Sequence, residues 1–90
     1  MATNHYFYVL HCQDNTLYGG YTTDPKRRLE EHNSGTGAKY TRLPSRRPVK
    51  MIHTEMFATR SEATKAEYAF KKLTRTKKEQ YLKKKGAESF

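Results

Sequence analysis

Ninety residues, with 18 lysines and arginines against nine aspartates and glutamates, give this chain a net charge of +9. The length predicts a single domain over residues 1–90 with one small core. The charge favours a polyanionic partner, nucleic acid before an anionic membrane surface. A single cysteine, Cys12, excludes an internal disulfide framework. Neither a signal peptide nor a membrane span of roughly 18 apolar residues is recognisable, so we expect a cytoplasmic protein with no membrane association.

The chain begins with two short strands. The stretch HYFYVLHC is rich in aromatic and β-branched residues and predicts a strand over residues 6–12. TLYGGY predicts the returning strand over residues 16–21, and the intervening QDN is typical of a turn.

The length of that turn decides which side chains share a face. A two-residue turn at 14–15 would put Tyr8 and Tyr18 on opposite faces of the sheet. A three-residue loop at 13–15 would pair Leu10 with Tyr18 and bring both tyrosines to one face. The last residue of that loop is an asparagine, which tolerates the left-handed conformation required there.

A helix and a long loop follow. Asp24 is a good N-cap and Pro25 suits the first helical position, so we predict a helix over about 24–33. Residues 34–48 contain two glycines and two prolines and are predicted to form a loop. Four cations lie in this loop: Lys39, Arg42, Arg46 and Arg47.

The second half of the chain predicts one strand and two helices. VKMIHTEMF reads as a strand over 49–57, and the capping box at 59–62 opens a helix over 60–73. A second box at 76–79 predicts a third helix over 75–84. The apolar residues of the middle helix share one face: Ala63, Ala66, Phe70 and Leu73. The order ββαβαα indicates an α+β fold, a three-stranded antiparallel sheet packed with helices.

Several of these residues stand in the order and spacing of a known family. YFY at 6–8 and YGG at 18–20 occupy the places of its two tripeptide motifs, and Arg28, His32 and Glu67 match its arginine, histidine and glutamate. The chain therefore resembles the GIY-YIG nuclease domain over residues 6 to about 82. The stretch HNSGTGAKYTR agrees with its small stand-alone bacterial members. One departure is that a tyrosine replaces the first glycine of the first motif.

The resemblance implies metal-dependent hydrolysis of nucleic-acid phosphodiester bonds. It implies a catalytic set of Tyr8, Tyr18, Arg28, His32 and Glu67, with Glu67 as the ligand of a weakly bound Mg²⁺ or Mn²⁺. One carboxylate suits Mg²⁺ because this ion keeps most of its water. The predicted partner is nucleic acid, DNA in the first place, bound by a monomer.

The chemistry assigns a role to each tyrosine. Tyr8 is the first choice for the base and Tyr18 for ordering water or phosphate. A tyrosine with a pKa near 10 is a poor base, so Arg28, the loop cations and a metal must lower the pKa of Tyr8. His32 would hydrogen-bond a tyrosine oxygen or a phosphate. This chemistry needs both tyrosines on one face and therefore selects the three-residue loop. The alternative is that both are ordinary packing residues of the strands.

Helical geometry separates neighbouring candidates. At about 100° per residue, Arg28 lies one turn from His32 and can reach the sheet, whereas Arg27 points away toward solvent or a DNA backbone. Glu67 lies beside the apolar stripe of its helix. It is either a metal ligand or the ion-pair partner of Lys71, four residues on.

Substrate contacts are predicted mainly in the glycine-containing loop. Lys39, Tyr40 and Arg42 are the candidates there, because a mobile loop can close on a strand, and Arg27 and Lys71 are added from the two helices. Two other functions remain open from the sequence. One is a non-catalytic nucleic-acid-binding module with the same fold, and the other is a basic adaptor that docks on an acidic protein or on the ribosome.

Overall fold

The fold is a three-stranded antiparallel sheet with helices on both faces. A computed structural model describes residues 3–87. The strand order is β2-β1-β3, which confirms the predicted α+β class. The elements are β1 His5–His11, β2 Leu17–Thr22, α1 Pro25–Ser34, β3 Lys50–Phe57, α2 Arg60–Lys71 and α3 Arg75–Lys84. Predicted boundaries differ from these by at most two residues.

The hairpin between β1 and β2 has the three-residue loop. Leu10 pairs with Tyr18 and Tyr8 with Gly20, and the backbone N–H of Cys12 donates to the carbonyl of Thr16 at 2.9 Å. Asn15 has a φ of 65°, the left-handed conformation that the third loop position requires. Both tyrosines therefore lie on one face of the sheet, as predicted.

The sheet separates two clusters of buried side chains. On one face Phe7 and Val9 pack against Phe70 of α2 and Leu82 of α3. On the other face Tyr8, Leu10, Cys12 and Val49 are packed with partly buried residues that include Leu29 of α1 and Tyr40. The second cluster is the smaller one, and it contains the polar residues of interest.

Local capping fixes where the first two helices begin. The Asp24 carboxylate accepts from the N–H of Arg27 at 3.2 Å, and α1 ends at Gly35 with a φ of 84°. The Thr59 hydroxyl accepts from the N–H of Glu62 at 3.2 Å and donates to its carboxylate at 2.9 Å, so the first capping box is confirmed.

The second capping box is wrong, although the helix it predicted is present. The N-cap of α3 is Thr74, whose hydroxyl accepts from the N–H of Lys77 at 3.3 Å. Thr76 lies inside the helix. The Glu79 carboxylate pairs instead with Arg75, one turn earlier, at 2.8 Å. Either threonine suits a cap, and the observed start places Leu82 in the core.

The stretch 34–48 is more regular than the loop predicted for it. It contains two 3-10 turns, Lys39–Arg42 and Pro44–Arg46. Thr41 in the first turn is fully buried. This turn therefore packs on the same face of the sheet as α1. Within residues 3–87, none of the helices has the length and apolar character needed to cross a membrane.

Candidate active site

The central residue of the site is Tyr8, whose ring packs directly against the backbone of Gly20. Gly20 is its cross-strand partner, and a Cβ on Gly20 would overlap the Cζ and hydroxyl of Tyr8. The absence of a side chain at this position lets the phenol cross the neighbouring strand. Tyr8 is only 1% exposed, and its hydroxyl points toward α1.

A directed chain of hydrogen bonds runs through Tyr8. Its hydroxyl is 2.7 Å from Nε2 of His32 and accepts from Nε of Arg28 at 3.4 Å. Nδ1 of His32 is 2.6 Å from the hydroxyl of Thr41, which donates to the carbonyl of Ala38. With the hydroxyl proton of Thr41 directed at Ala38, we assign the proton of the other contact to Nδ1 of His32. Nε2 is then the acceptor of the Tyr8 proton.

Burial keeps both partners of this chain neutral. It raises the pKa of Tyr8 to about 12, and the hydrogen bond and charge of Arg28 offset only part of that rise. Burial first, and then the charge of Arg28, lower the pKa of His32 to about 4. Loss of solvent outweighs the one nearby cation, Arg28, so a lowered pKa of Tyr8 stays a prediction that depends on the further positive charge of a bound metal.

Tyr18 is the more accessible tyrosine. Its ring stacks on Tyr40 with centroids 5.0 Å apart and meets His32 edge-on at 5.6 Å. Nζ of Lys71 lies 5.3 Å from the Tyr18 ring centroid. Within residues 3–87, no hydrogen bond engages the Tyr18 hydroxyl, and this half-buried side chain leaves that group available to a ligand.

Glu67 reaches the same place from the other layer of the protein. It lies on α2, but its charge acts on the pKa of Tyr8, and its carboxylate is 2.8 Å from Nζ of Lys71. Because β2 is an edge strand, the flank of α2 can extend past it toward the tyrosine face. The ion pair with Lys71 exists, as the structural alternative expected, and the carboxylate is also near enough to Tyr8 for its charge to add to the effect of burial in raising the pKa of that phenol.

Comparison with known proteins decides the family. Residues 4–85 match the family described as the GIY-YIG catalytic domain. The chain belongs to the GIY-YIG family. It is 80% identical over 80 residues to a UPF0213 protein of Enterococcus faecalis, covering 89% of this chain and 91% of that one. It is 56% identical over 84 residues to the UPF0213 protein YazA of Bacillus subtilis, covering 93% and 83%.

Two solved structures resemble this GIY-YIG chain along most of its length. A solution NMR structure of an E. faecalis protein has 75% identity and a TM-score of 0.63, covering 97% of this chain and 91% of that one. A solution NMR structure of a UPF0213 protein from Bacillus halodurans has 49% identity and a TM-score of 0.61, covering 92% and 86%.

GIY-YIG nucleases are in general metal-dependent, and the donor set here fits one hard cation. Across residues 3–87, no three His, Cys, Asp or Glu side chains are grouped to hold a metal. Glu67 would therefore be the single protein ligand, which suits Mg²⁺ with most of its waters retained. Its side chain is 20% exposed, so a hydrated ion has access, in competition with the Lys71 ammonium.

The predicted substrate contacts divide into two groups. Lys39 and Arg42 are exposed on the turn beside the site, and the Arg27 side chain is 61% exposed on the outer side of α1. Tyr40 instead supports Tyr18, and the Arg46 guanidinium covers its ring at 3.9 Å from the centroid.

The sequence missed several residues that hold the site together. Thr41 fixes the tautomer of His32, and Glu31 pairs with Arg28 at 3.1 Å. Gly37 lies against the backbone of His32, where an added Cβ would come within 2.9 Å. A threonine between a tyrosine and an arginine carries no local signal, but the i,i+3 spacing of Arg28 and Glu31 could have indicated that pair.

Proposed function

We propose that this GIY-YIG protein is a metal-dependent endonuclease that hydrolyses phosphodiester bonds of DNA, acting as a cytoplasmic monomer. One observation carries the proposal. A phenol, an imidazole and a guanidinium form one hydrogen-bonded chain around Tyr8, beside a carboxylate that suits a hard cation. Such a cluster, in a chain of net charge +9, supports chemistry on a polyanion.

Tyr8 is the candidate base for the proton of the attacking water. To act as the base, Tyr8 must lose its phenolic proton, and the positive charges of Arg28, of the loop cations and of a cation at Glu67 would together lower its pKa and stabilise the phenolate. The phenolate then accepts the proton of the water. A groove of about 220 Å³ opens beside Arg28 and gives solvent an approach to this region. The free hydroxyl of Tyr18 orders the water or a phosphoryl oxygen.

Positive charge must balance the charge that develops on the phosphoryl oxygens. Arg28 supplies part of it through a side chain that is 28% exposed. A divalent cation held by Glu67 would supply Lewis acidity at those oxygens. Lys39 and Arg42 hold the strand through its phosphates and read no sequence.

The test is a cleavage assay on single-stranded, duplex and branched DNA with Mg²⁺ or Mn²⁺, comparing the wild type with Glu67→Gln. Glutamine keeps the size of the side chain but removes the charge that binds a hard cation. We expect cleavage to fall by orders of magnitude while DNA binding persists or tightens. Cleavage by Glu67→Gln at the wild-type rate would end the catalytic role of this residue.

Lys71→Gln is the matched control, because it removes the same ion pair and leaves the carboxylate in place. We expect it to bind DNA more weakly, since Lys71 is a predicted substrate contact, but to cut saturating DNA at nearly the wild-type rate. If the pair with Lys71 is the whole role of Glu67, both variants lose about 0.3–0.5 kcal/mol of stability and keep the same activity.

The alternative is a non-catalytic nucleic-acid-binding module. Two observations favour it: the carboxylate of Glu67 already has a counter-charge, and Tyr8 is buried with a raised pKa. A wild-type protein that binds all three DNA structures and cuts none of them, with either metal, would select this function.

A further inference from the structure

An exposed tyrosine stands next to the candidate site without a structural reason. Tyr68 is 63% exposed on α2, one residue beyond Glu67. Within residues 3–87 its hydroxyl makes no hydrogen bond. An exposed aromatic ring contributes little to the folding of a helix, so contacts within the chain do not explain it.

The surroundings of Tyr68 are cationic. Its neighbours one helical turn away in either direction are Thr64, Lys65, Lys71 and Lys72. Nζ of Lys72 lies 4.2 Å from the Tyr68 ring centroid, an attractive cation–π contact. Three of the four helical-neighbour positions of Tyr68 are therefore lysines and none carries a carboxylate, and one of these lysines, Lys72, contacts the ring. Flat π-surface together with positive charge is what an unpaired nucleotide binds, by stacking its base and pairing its phosphate.

This surface adjoins the candidate site, so a strand bound at the site could also contact it. Lys71 is a helical neighbour of Tyr68, and its ammonium also contacts the Glu67 carboxylate at 2.8 Å and lies over the ring of Tyr18 at 5.3 Å. Lys71 thus stands next to Tyr68 on the helix while its ammonium lies at the candidate site. A strand with a phosphate at Lys71 would have an adjoining base within reach of the Tyr68 side of α2.

We propose that Tyr68, flanked by Lys65, Lys71 and Lys72, is a stacking platform for an unpaired base of the DNA strand held at the candidate site. The inference rests on the proposed action on nucleic acid and narrows its substrate class. Bases in an intact duplex are stacked on each other and cannot offer a face to the ring. The protein therefore selects single-stranded, frayed or branched DNA over intact duplex.

The test is equilibrium binding in EDTA, so that no cleavage occurs, to oligo-dT and to a blunt duplex of the same length. We expect Tyr68→Ala to weaken binding to oligo-dT by about 5- to 150-fold, the range for losing one base–aromatic stack, and to leave duplex binding unchanged. Tyr68→Phe keeps the ring and should bind as the wild type does. Met56→Ala is the matched control, since Met56 is 62% exposed on β3, at the opposite edge of the sheet.

Two outcomes would overturn the platform: unchanged oligo-dT binding by Tyr68→Ala, or an equal loss of binding to the duplex. Because Tyr68 is exposed, the alanine variant should fold, which circular dichroism checks. The experiments can refute the stacking platform and the nuclease activity independently of each other. A protein that stacks oligo-dT but cuts nothing refutes only the nuclease, whereas DNA cleavage with no effect of Tyr68→Ala on binding refutes only the platform.

Discussion

His32 is the residue on which the proposed site depends most. It is fully buried and contacts Tyr8 through one nitrogen and Thr41 through the other. With both nitrogens engaged in hydrogen bonds, the ring is held in one orientation. The sequence predicted its contact with a tyrosine oxygen, because one helical turn separates it from Arg28. It could not predict the burial, which comes from Gly37 and the turn Lys39–Arg42.

The depressed pKa of His32 predicts a loss of stability in mild acid. An unfolded histidine takes up a proton below about pH 6.5, whereas His32 in the fold resists protonation down to about pH 4. The unfolded state then binds more protons, so the free energy of unfolding falls as the pH drops between these values. Urea unfolding should show a loss of about 2 kcal/mol from this group between pH 6.5 and 5. In His32→Gln that part of the pH dependence should disappear; an equal slope in both proteins would contradict the buried neutral imidazole.

At the scale of elements, the sequence predicted those features that depend on residues close together in the chain, such as helix caps and hairpin register. Asp24 and Thr59 act as caps, and loop parity put Tyr8 and Tyr18 on one face. The cap predicted at Thr76 is wrong, because Thr74, two residues earlier, is equally suited to a cap and packing selects it. The turn Lys39–Arg42 was read as loop, since its order depends on contacts with α1 and the sheet.

The two glycines of β2 provide a test of how the hairpin positions the site. An alanine at Gly20 would overlap the Tyr8 phenol and push its hydroxyl away from His32 and Arg28, whereas the side chain added at Gly19 would point to the other face, 3.0 Å from the Phe70 ring. Both changes should cost roughly 1–3 kcal/mol through overpacking. In thermal unfolding and cleavage assays, Gly20→Ala alone should abolish activity. Equal activity in the two variants would show that the position of the Tyr8 hydroxyl does not matter.

At the scale of the whole molecule, excess positive charge and small size set the mode of binding. The longest dimension is 37 Å, about one turn of B-form duplex, so only a handful of phosphates can be contacted at once. The exposed cations Lys39 and Arg42 lie on the turn beside Tyr18. Composition alone predicted a polyanionic partner. It could not tell which cations make contacts within the protein instead, as the Arg46 guanidinium does by packing over the Tyr40 ring.

Binding to DNA should accordingly be governed by counterion release. The logarithm of affinity should fall linearly with the logarithm of salt concentration, with a slope that reflects those few phosphates. Lys39→Ala and Arg42→Ala should each weaken binding similarly on unrelated sequences and reduce the slope by about 1. Fluorescence anisotropy across a salt series measures both quantities. Affinity that is indifferent to salt up to physiological strength would instead favour a protein adaptor.

The hydroxyl of Thr41 connects the turn Lys39–Arg42, which covers Tyr18, with His32 of the candidate site. It ties the turn Lys39–Arg42 to α1 through its hydrogen bond with Nδ1 of His32, and it also donates to the carbonyl of Ala38. Lifting that turn away from Tyr18 would strand a buried donor, at a cost of about 1–3 kcal/mol. The position of this turn over Tyr18 and the protonation of the His32 ring are therefore thermodynamically linked. A strand that lifts this turn to reach Tyr18 would therefore also have to break the hydrogen bond between Thr41 and His32.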